Sequence, residues 1–302
     1  MIIRKTQFIY LALLLSLYSC QPGKMTKEEL TEKINEELKK QEGTYAVAFK
    51  DLSTGEELLI KEHTSFHAAS TMKTPVMIEV YKQVSEGKFS LSDSIEVKNE
   101  FKSIVDGSPY KLDSSDDSEH ALYTKTGSKR QLSELVYDMI IVSSNLATNI
   151  IIELVDAKKV NGTMRSMGAN DIQVLRGVED SKAFQKGLNN STTAYDLMLI
   201  FEKMAKGETV SQNASTKMIA TLMDQRFNDI IPSKLPKDVK VAHKTGSITG
   251  VHHDSGIVFL PDGRKYVLVI LSKDLKDDKK ATGSMAEVSK MIYEYVTSKT
   301  SN

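Results

Sequence analysis

The chain has 302 residues, of which 40 are Lys or Arg and 40 are Asp or Glu, and 40% of its residues are hydrophobic. This is the composition of an ordinary globular protein, and the lack of a basic excess argues against nucleic acid as a partner. Cys20 is the single cysteine, which leaves no disulfide framework and no cysteine-rich metal site. We expect neither a cofactor nor a metal.

The first 20 residues differ from the rest. Arg4 and Lys5 precede an apolar run over residues 8–17, which is too short to span a bilayer comfortably and is typical of a signal peptide. The segment ends in Leu17-Tyr18-Ser19-Cys20, which resembles the lipobox of bacterial lipoproteins. We therefore predict an exported bacterial protein, periplasmic or on the cell surface, with a lipid anchor at Cys20. The alternative is a chance cysteine at the end of an ordinary secretory leader.

Residues 21–302 predict a single monomeric domain with strands near both of its ends. Apolar periodicity and turn residues indicate helices over residues 26–38, 70–81, 131–142, 146–155, 160–168, 192–204, 214–223 and 282–296. Strands are indicated over residues 44–49, 57–60, 239–243, 256–260 and 266–271. This order predicts an α/β (α+β) fold. Its antiparallel sheet comes from both ends (residues 26–66 and 216–302), and an all-α lobe (residues 67–215) is inserted between them.

Ser70 and Lys73 are the first candidate catalytic pair. Residues three apart on a helix share a face, so the amine can reach the hydroxyl and activate it as a nucleophile. The same spacing occurs at Ser85–Lys88, which looks like an exposed helix end, and at Ser108–Lys111, which begins just before a proline. Only Ser70 is followed by an apolar helical pattern. The alternative is a helix-capping serine beside a solvated lysine.

Three motifs follow one another along the chain: Ser70-Thr71-Met72-Lys73, Ser143-Ser144-Asn145 and Lys244-Thr245-Gly246. The set resembles the signatures of class A β-lactamases and the related penicillin-binding serine enzymes, and the similarity of pattern extends over about residues 26–298. A second Lys-Thr-Gly at residues 125–127 lies in polar surroundings without a strand, so we assign it to a loop. The resemblance implies a β-lactamase/transpeptidase-like fold.

The resemblance also implies acyl transfer through a covalent intermediate on Ser70. Lys73 would be the base for Ser70, and Ser143 would pass a proton to the leaving nitrogen. Backbone N–H groups of Ser70 and Ser247 would face the oxyanion. The substrate, a small β-lactam, would be bound by Asn145, Lys244, Thr245, Gly246 and Ser247.

The sequence departs from the family pattern in the second motif and in the long loop over residues 169–191. Ser144 stands where the family usually has an aspartate, and we expect local rearrangement with the chemistry retained. In the loop, Glu179 resembles the glutamate that activates the deacylating water in class A enzymes. Arg176 precedes it by three residues instead of two, and Ala183 replaces an asparagine four residues later. The alternative is that Glu179 and Asp180 are solvated loop charges.

Two further positions bear on the site. We find no arginine where the family binds the substrate carboxylate; Tyr266 falls near that place, and Arg264 and Lys273 are weak substitutes. His252 and His253 are adjacent in a strand, so their side chains point to opposite faces, which disfavours a metal site.

The leading hypothesis from the sequence is a serine β-lactamase. A DD-peptidase of the penicillin-binding type and a non-catalytic lipoprotein that binds wall fragments are the alternatives. Deacylation separates the first two, because a penicillin-binding protein stays acylated where a β-lactamase releases its product.

Overall fold

The computed structural model describes residues 25–299, so the predicted leader and Cys20 lie outside the described residues. Within this range the helices are α1 (Lys27–Leu38), α2 (Lys73–Ser85), α3 (His120–Tyr123), α4 (Leu132–Ile141), α5 (Asn145–Val155), α6 (Ala157–Ser166), α7 (Ser181–Gln185), α8 (Ala194–Lys206), α9 (Gln212–Met223) and α10 (Asp278–Ser298). The longer strands are β1 (Thr44–Asp51), β2 (Glu57–Ile60), β9 (Lys240–Ile248), β10 (Val251–Phe259) and β11 (Lys265–Lys273). The short strands are β3 (Phe66–His67), β4 (Ser94–Glu96), β5 (Phe101–Lys102), β6 (Pro109–Tyr110), β7 (Lys129–Gln131) and β8 (Ser191–Thr192).

The main sheet has five antiparallel strands in the order β2-β1-β11-β10-β9. Strand β11 is covered on both faces, because its side chains alternate between two hydrophobic clusters. Val267 and Val269 face the helical part of the chain, whereas Leu268 and Ile270 pack in the cluster that includes α1 and α10. The predicted fold, with strands from both chain ends and helices between them, is confirmed.

Helix α2 is the central helix of the inserted part. Ten of its 13 residues are buried, because its apolar side chains cover most of its circumference. A 3₁₀ turn over Ala69–Met72 leads into it. Ser85, which begins the second Ser-x-x-Lys sequence, is the exposed last residue of the same helix, as its surroundings in the sequence predict.

Two local predictions differ from the structure. The strand predicted over residues 239–243 is longer in the structure: Lys244-Thr245-Gly246 lies inside β9, which continues to Ile248 along the sheet edge. The loop over residues 169–191 contains the short helix α7, which Asp180 caps by accepting a hydrogen bond from Ala183 N. Within residues 25–299 no helix combines the length and apolarity needed to cross a membrane.

Candidate active site

A cleft of about 1120 Å³ runs between the edge strand β9 and the helical part of the molecule. It gathers residues from all three sequence motifs and from the long loop. Among the residues that line it are Ser70, Ser143, Asn145, Glu179, Thr245, Gly246 and Ser247. The buried amines of Lys73 and Lys244 lie just behind this lining.

Ser70 is held in a strained turn. Ala69, the residue before it, has a φ of +44°, a conformation that costs a non-glycine residue about 1–3 kcal/mol. The His67 ring stabilises the turn, because Nδ1 accepts a hydrogen bond from Ala69 N at 3.0 Å. Strand β9 passes very close: a Cβ at Gly246 would lie 3.2 Å from Ser70 N. Glycine at this position therefore lets the strand approach the Ser70 peptide.

Lys73 lies one turn from Ser70 and is fully buried. Its Nζ donates to Ser143 O at 2.7 Å, to Ser143 Oγ at 3.1 Å and to Asn145 Oδ1 at 3.0 Å. Burial lowers the pKa of Lys73 to about 7, against the opposing effect of the Asp117 and Glu179 carboxylates. An amine with such a pKa is present in both protonation states near neutral pH, as a base for Ser70 requires.

Lys244 contacts the same Ser143 hydroxyl. Its Nζ donates to Ser143 Oγ at 3.1 Å and to Thr245 O at 2.9 Å. Burial, with the charge of Lys73 as a second cause, lowers the pKa of Lys244 well below its usual value, while Asp254 opposes the shift. Two amines around one hydroxyl oxygen give Ser143 a source of protons, and their mutual repulsion disfavours the doubly charged state.

Glu179 enters the cleft from the long loop with a φ of +62°. Its Oε1 accepts a hydrogen bond from Asn145 Nδ2 at 3.0 Å, and its Oε2 accepts one from Asp113 N at 3.2 Å. Burial raises its pKa, and these two hydrogen bonds oppose the shift. Asn145 thus contacts Glu179 through its amide nitrogen and Lys73 through its amide oxygen.

Two asparagine side chains fasten the part of this loop next to Glu179. Asn149 on α5 accepts a hydrogen bond from Val178 N at 2.6 Å and donates one to Val178 O at 3.0 Å, which fixes the peptide next to Glu179. Asn190 accepts from Leu175 N at 2.8 Å and donates to Arg176 O at 3.0 Å. The loop therefore depends on side-chain anchors for its shape.

Arg176 and Asp180 flank Glu179 and are both buried. Glu179 itself is half-buried, so neither Glu179 nor Asp180 is a solvated loop charge. The Arg176 guanidinium donates to Leu188 O at 2.9 Å and to Gly177 O at 2.9 Å, within its own loop. Asp180 accepts from Ser103 Oγ at 2.8 Å and from Ile104 N at 2.9 Å, which ties the loop to the segment that follows β5.

Several residues considered from the sequence lie outside the cleft lining. Tyr266 is fully buried in the core next to Phe49, Arg264 pairs with Asp262 in the β10–β11 turn, and Lys273 donates to Ser65 O at 2.9 Å. Alternation along a strand does not specify which end of it borders the site, so the position of Tyr266 was misjudged.

Ala183, His252 and His253 lie in three different environments. Ala183 is fully buried in α7 and does not line the cleft. His252 lies on the rim, where its Nε2 is 3.3 Å from Asp278 Oδ2. His253 is fully buried, its Nε2 is 2.9 Å from His67 O, and burial lowers its pKa to about 4. Within residues 25–299 no group of three or more His, Cys, Asp or Glu side chains could hold a metal ion.

The structure reveals polar contacts that the sequence did not indicate. Asp117 reaches the start of α5 from the polar segment over residues 106–130. Asp254 on β10 accepts a hydrogen bond from Ile231 N at 3.0 Å, and its Oδ1 lies 2.8 Å from His243 Nδ1 on β9. No sequence motif indicates either contact, because the residues that form it are far apart along the chain.

The fold and the site together define an active-site serine hydrolase of mixed α/β architecture, with a lysine one turn after the serine and a second lysine on an edge strand. The chain matches the model of the β-lactamase enzyme family over residues 29–296, and it belongs to that family. The resemblance to class A β-lactamases is thereby confirmed, and with it the expected enzyme class.

The relatives span nearly the whole chain at low identity. The β-lactamase VEB-1 of Pseudomonas aeruginosa is 21% identical over 306 residues, covering 96% of this chain and 98% of the relative. A β-lactamase of Bacteroides uniformis is 24% identical over 301 residues, covering 94% and 98%. A solved β-lactamase structure from Sphaerobacter thermophilus is 25% identical with a TM-score of 0.76, covering 90% of this chain and 98% of that one. The structure of PBP-A is 26% identical with a TM-score of 0.77, covering 89% and 96%.

Proposed function

We propose that this protein hydrolyses the amide bond of β-lactams through an acyl-enzyme on Ser70, and that Glu179 completes the cycle by deacylation. The observation that carries the proposal is the shared position of Ser70 and Glu179 in one cleft. Asn145 links them, because it contacts both Glu179 and the lysine next to Ser70. A nucleophile and a separate carboxylate are what a two-step hydrolysis requires.

In acylation, Ser70 Oγ attacks the lactam carbonyl carbon and its proton passes to the free amine of Lys73. The N–H groups of Ser70 and Ser247 stabilise the oxyanion, and the close approach of Gly246 to Ser70 supports that arrangement. The carbon–nitrogen bond then breaks. Ser143 Oγ donates its proton to the leaving nitrogen and regains one from the lysine amines that contact it.

In deacylation, a water molecule attacks the ester carbonyl while the Glu179 carboxylate takes its proton. The ester bond breaks, Glu179 returns the proton so that Ser70 Oγ leaves as a hydroxyl, and the opened product departs. The half-buried carboxylate and its raised pKa support this role, because both make Glu179 a stronger base than a solvated glutamate. Thr245 and Ser247 line the cleft and offer hydroxyls to the substrate carboxylate.

The test is steady-state turnover of a chromogenic cephalosporin by the wild type and by Ser70→Ala. We expect multiple turnovers by the wild type and loss of at least about 10³-fold in the variant, as for removal of other serine nucleophiles. Intact-mass spectra should show the acyl adduct of the cephalosporin in the wild type during turnover and none in Ser70→Ala. A wild type that releases no product at any substrate concentration contradicts the proposal.

A second candidate is a DD-peptidase of the penicillin-binding type. The likeness to PBP-A supports it, as does Ala183, which stands where the class A family has an asparagine that helps to hold the water. This candidate predicts a long-lived penicilloyl adduct on Ser70 together with cleavage of D-alanyl-D-alanine peptides. Turnover of the cephalosporin without peptide cleavage argues against it.

We also propose that the mature protein is a monomer anchored to a membrane by lipid at Cys20, on the periplasmic side or at the cell surface. The leader pattern and its terminal cysteine support this proposal. In the bacterial source, palmitate labelling should mark the wild type and not Cys20→Ala, and the variant should move from the membrane to the soluble fraction. Size-exclusion chromatography of a chain that begins at residue 21 should give the elution volume of a monomer.

A further inference from the structure

The start of α5 is organised by a carboxylate from a distant part of the chain. Asp117 is buried, and its Oδ2 accepts hydrogen bonds from Asn145 N at 2.8 Å and from Leu146 N at 2.9 Å. These are two of the four N–H groups that an α-helix leaves unpaired at its first turn. One of these N–H groups belongs to Asn145, the last residue of the second motif.

Other groups hold this carboxylate in place. Its Oδ2 also accepts from Tyr123 OH at 3.0 Å and from Ser144 Oγ at 3.4 Å, and its Oδ1 accepts from Glu119 N at 3.1 Å. A carboxylate that accepts five hydrogen bonds has a fixed position. Since its strongest contacts are to Asn145 and Leu146, it fixes the entry of α5 relative to Lys73.

Ser144 itself carries no charge, although it lies between Ser143 and Asn145. Its Oγ caps α5 by accepting from Ala147 N at 3.2 Å and contacts Asp117 at 3.4 Å. The negative charge that interacts favourably with the helix N-terminus therefore comes from Asp117, 27 residues earlier.

We propose that Asp117 is a positioning residue for acylation: its carboxylate holds the start of α5 so that Ser143 and Asn145 receive the Lys73 amine. The inference rests on the proposed acyl transfer to Ser70. Asp117 contacts neither substrate nor the reacting atoms, and it acts through the backbone of Asn145 and Leu146. Its removal should slow acylation of Ser70 more than it affects substrate binding.

The experiment is a cycle of three variants in which the rate of penicilloyl adduct formation on Ser70 is measured by intact mass. Asp117→Ala should acylate about 10- to 100-fold more slowly, because displacements of about 1 Å in a catalytic group cost up to 10²-fold. Ser144→Asp alone should also be slow, since it sets two carboxylates against each other. The double variant Asp117→Ala/Ser144→Asp should return to within about threefold of the wild type, because one carboxylate again caps α5 in nearly the same space.

A matched control separates positioning from stability. Asp51 is as buried as Asp117 and accepts two backbone hydrogen bonds, from Ser53 N and Thr54 N, in the turn between β1 and β2 outside the cleft lining. Asp51→Ala should lower the melting temperature and leave the acylation rate unchanged. If Asp117→Ala does not fold, Asp117→Asn, which keeps the shape and removes the charge, takes its place in the comparison.

The pH dependence gives a readout that a purely structural role would not move. The charged groups that face Lys73 are Asp117, Glu179 on the loop and Lys244 on β9. Since the Asp117 carboxylate raises the pKa of Lys73, Asp117→Asn should move the acid limb of the acylation profile to lower pH. Any one of three results overturns the inference: an acid limb that does not move, a wild-type acylation rate in folded Asp117→Ala, or a double variant that is acylated no faster than Asp117→Ala. A wild type that is acylated without turnover contradicts only the proposed hydrolysis, and one that is never acylated overturns both.

Discussion

The cleft joins two regions that are built differently. The acylation region consists of Ser70, Lys73, Ser143 and Lys244, which lie on or next to regular elements, and both of its lysines are fully buried. The deacylation region is Glu179, which is half-buried and lies on a loop fastened by side chains. The first half of the reaction therefore depends on the core, whereas the second depends on a few hydrogen bonds.

The largest effect should come from the acylation region. Lys73→Met removes the base and its contacts to Ser143 and Asn145, and we expect the acylation rate to fall by about 10²- to 10⁴-fold. Lys73→Arg should not restore it, since a guanidinium stays protonated. Rapid-quench mass spectrometry of the adduct measures the rate. Near-normal acylation by either variant would show that another group takes the Ser70 proton.

Glu179→Gln should affect the other region alone. The amide cannot accept a proton from water, so we expect steady turnover to fall by about 10²- to 10³-fold while acylation continues. Intact-mass spectra should then show the penicilloyl enzyme as the dominant species after substrate is added. Rapid turnover by this variant, with no adduct accumulating, would break the assignment of Glu179 and leave the acylation region untouched.

The two regions also differ in how far sequence alone predicts them. The motifs around Ser70, Ser143 and Lys244 are local, since each set of neighbours is fixed by one helix or strand, and the structure brings them together. Contacts such as Asp117 with α5 and Asn149 with Val178 join segments about 30 residues apart. No periodic pattern specifies such pairs, because either partner could equally lie in solvent.

The position of Tyr266 was misjudged for a related reason. A strand pattern does not specify which end of the strand borders the cleft, and the structure puts Tyr266 in the core, outside the cleft lining. The fold was easier to predict, because hydrophobic periodicity is read from all the residues of a helix or strand. An error of one or two residues in its bounds does not change the element that is predicted.

Asn149→Ala should produce a smaller effect that sharpens the comparison. It removes both hydrogen bonds to Val178, so we expect deacylation to slow by about tenfold, from displacement of Glu179, with acylation largely retained. Asn161→Ala is a matched control: Asn161 accepts from Val174 N and donates to Val174 O, both at 2.8 Å, at the start of the same loop. It should cost similar stability without slowing deacylation. Equal kinetic effects of the two variants would mean that the loop moves as one unit.

The smallest effect should come from Tyr266→Phe. The Tyr266 hydroxyl is buried and has no hydrogen-bond partner among residues 25–299, so its removal relieves a desolvation cost of about 1 kcal/mol. We expect the melting temperature to rise by about 2–4 °C with turnover and KM unchanged. Tyr295→Phe is the contrasting variant, since it loses the 2.9 Å hydrogen bond from Tyr295 OH to Glu56 and should melt lower. A raised KM in Tyr266→Phe would instead connect this side chain to substrate binding, against its position in the core.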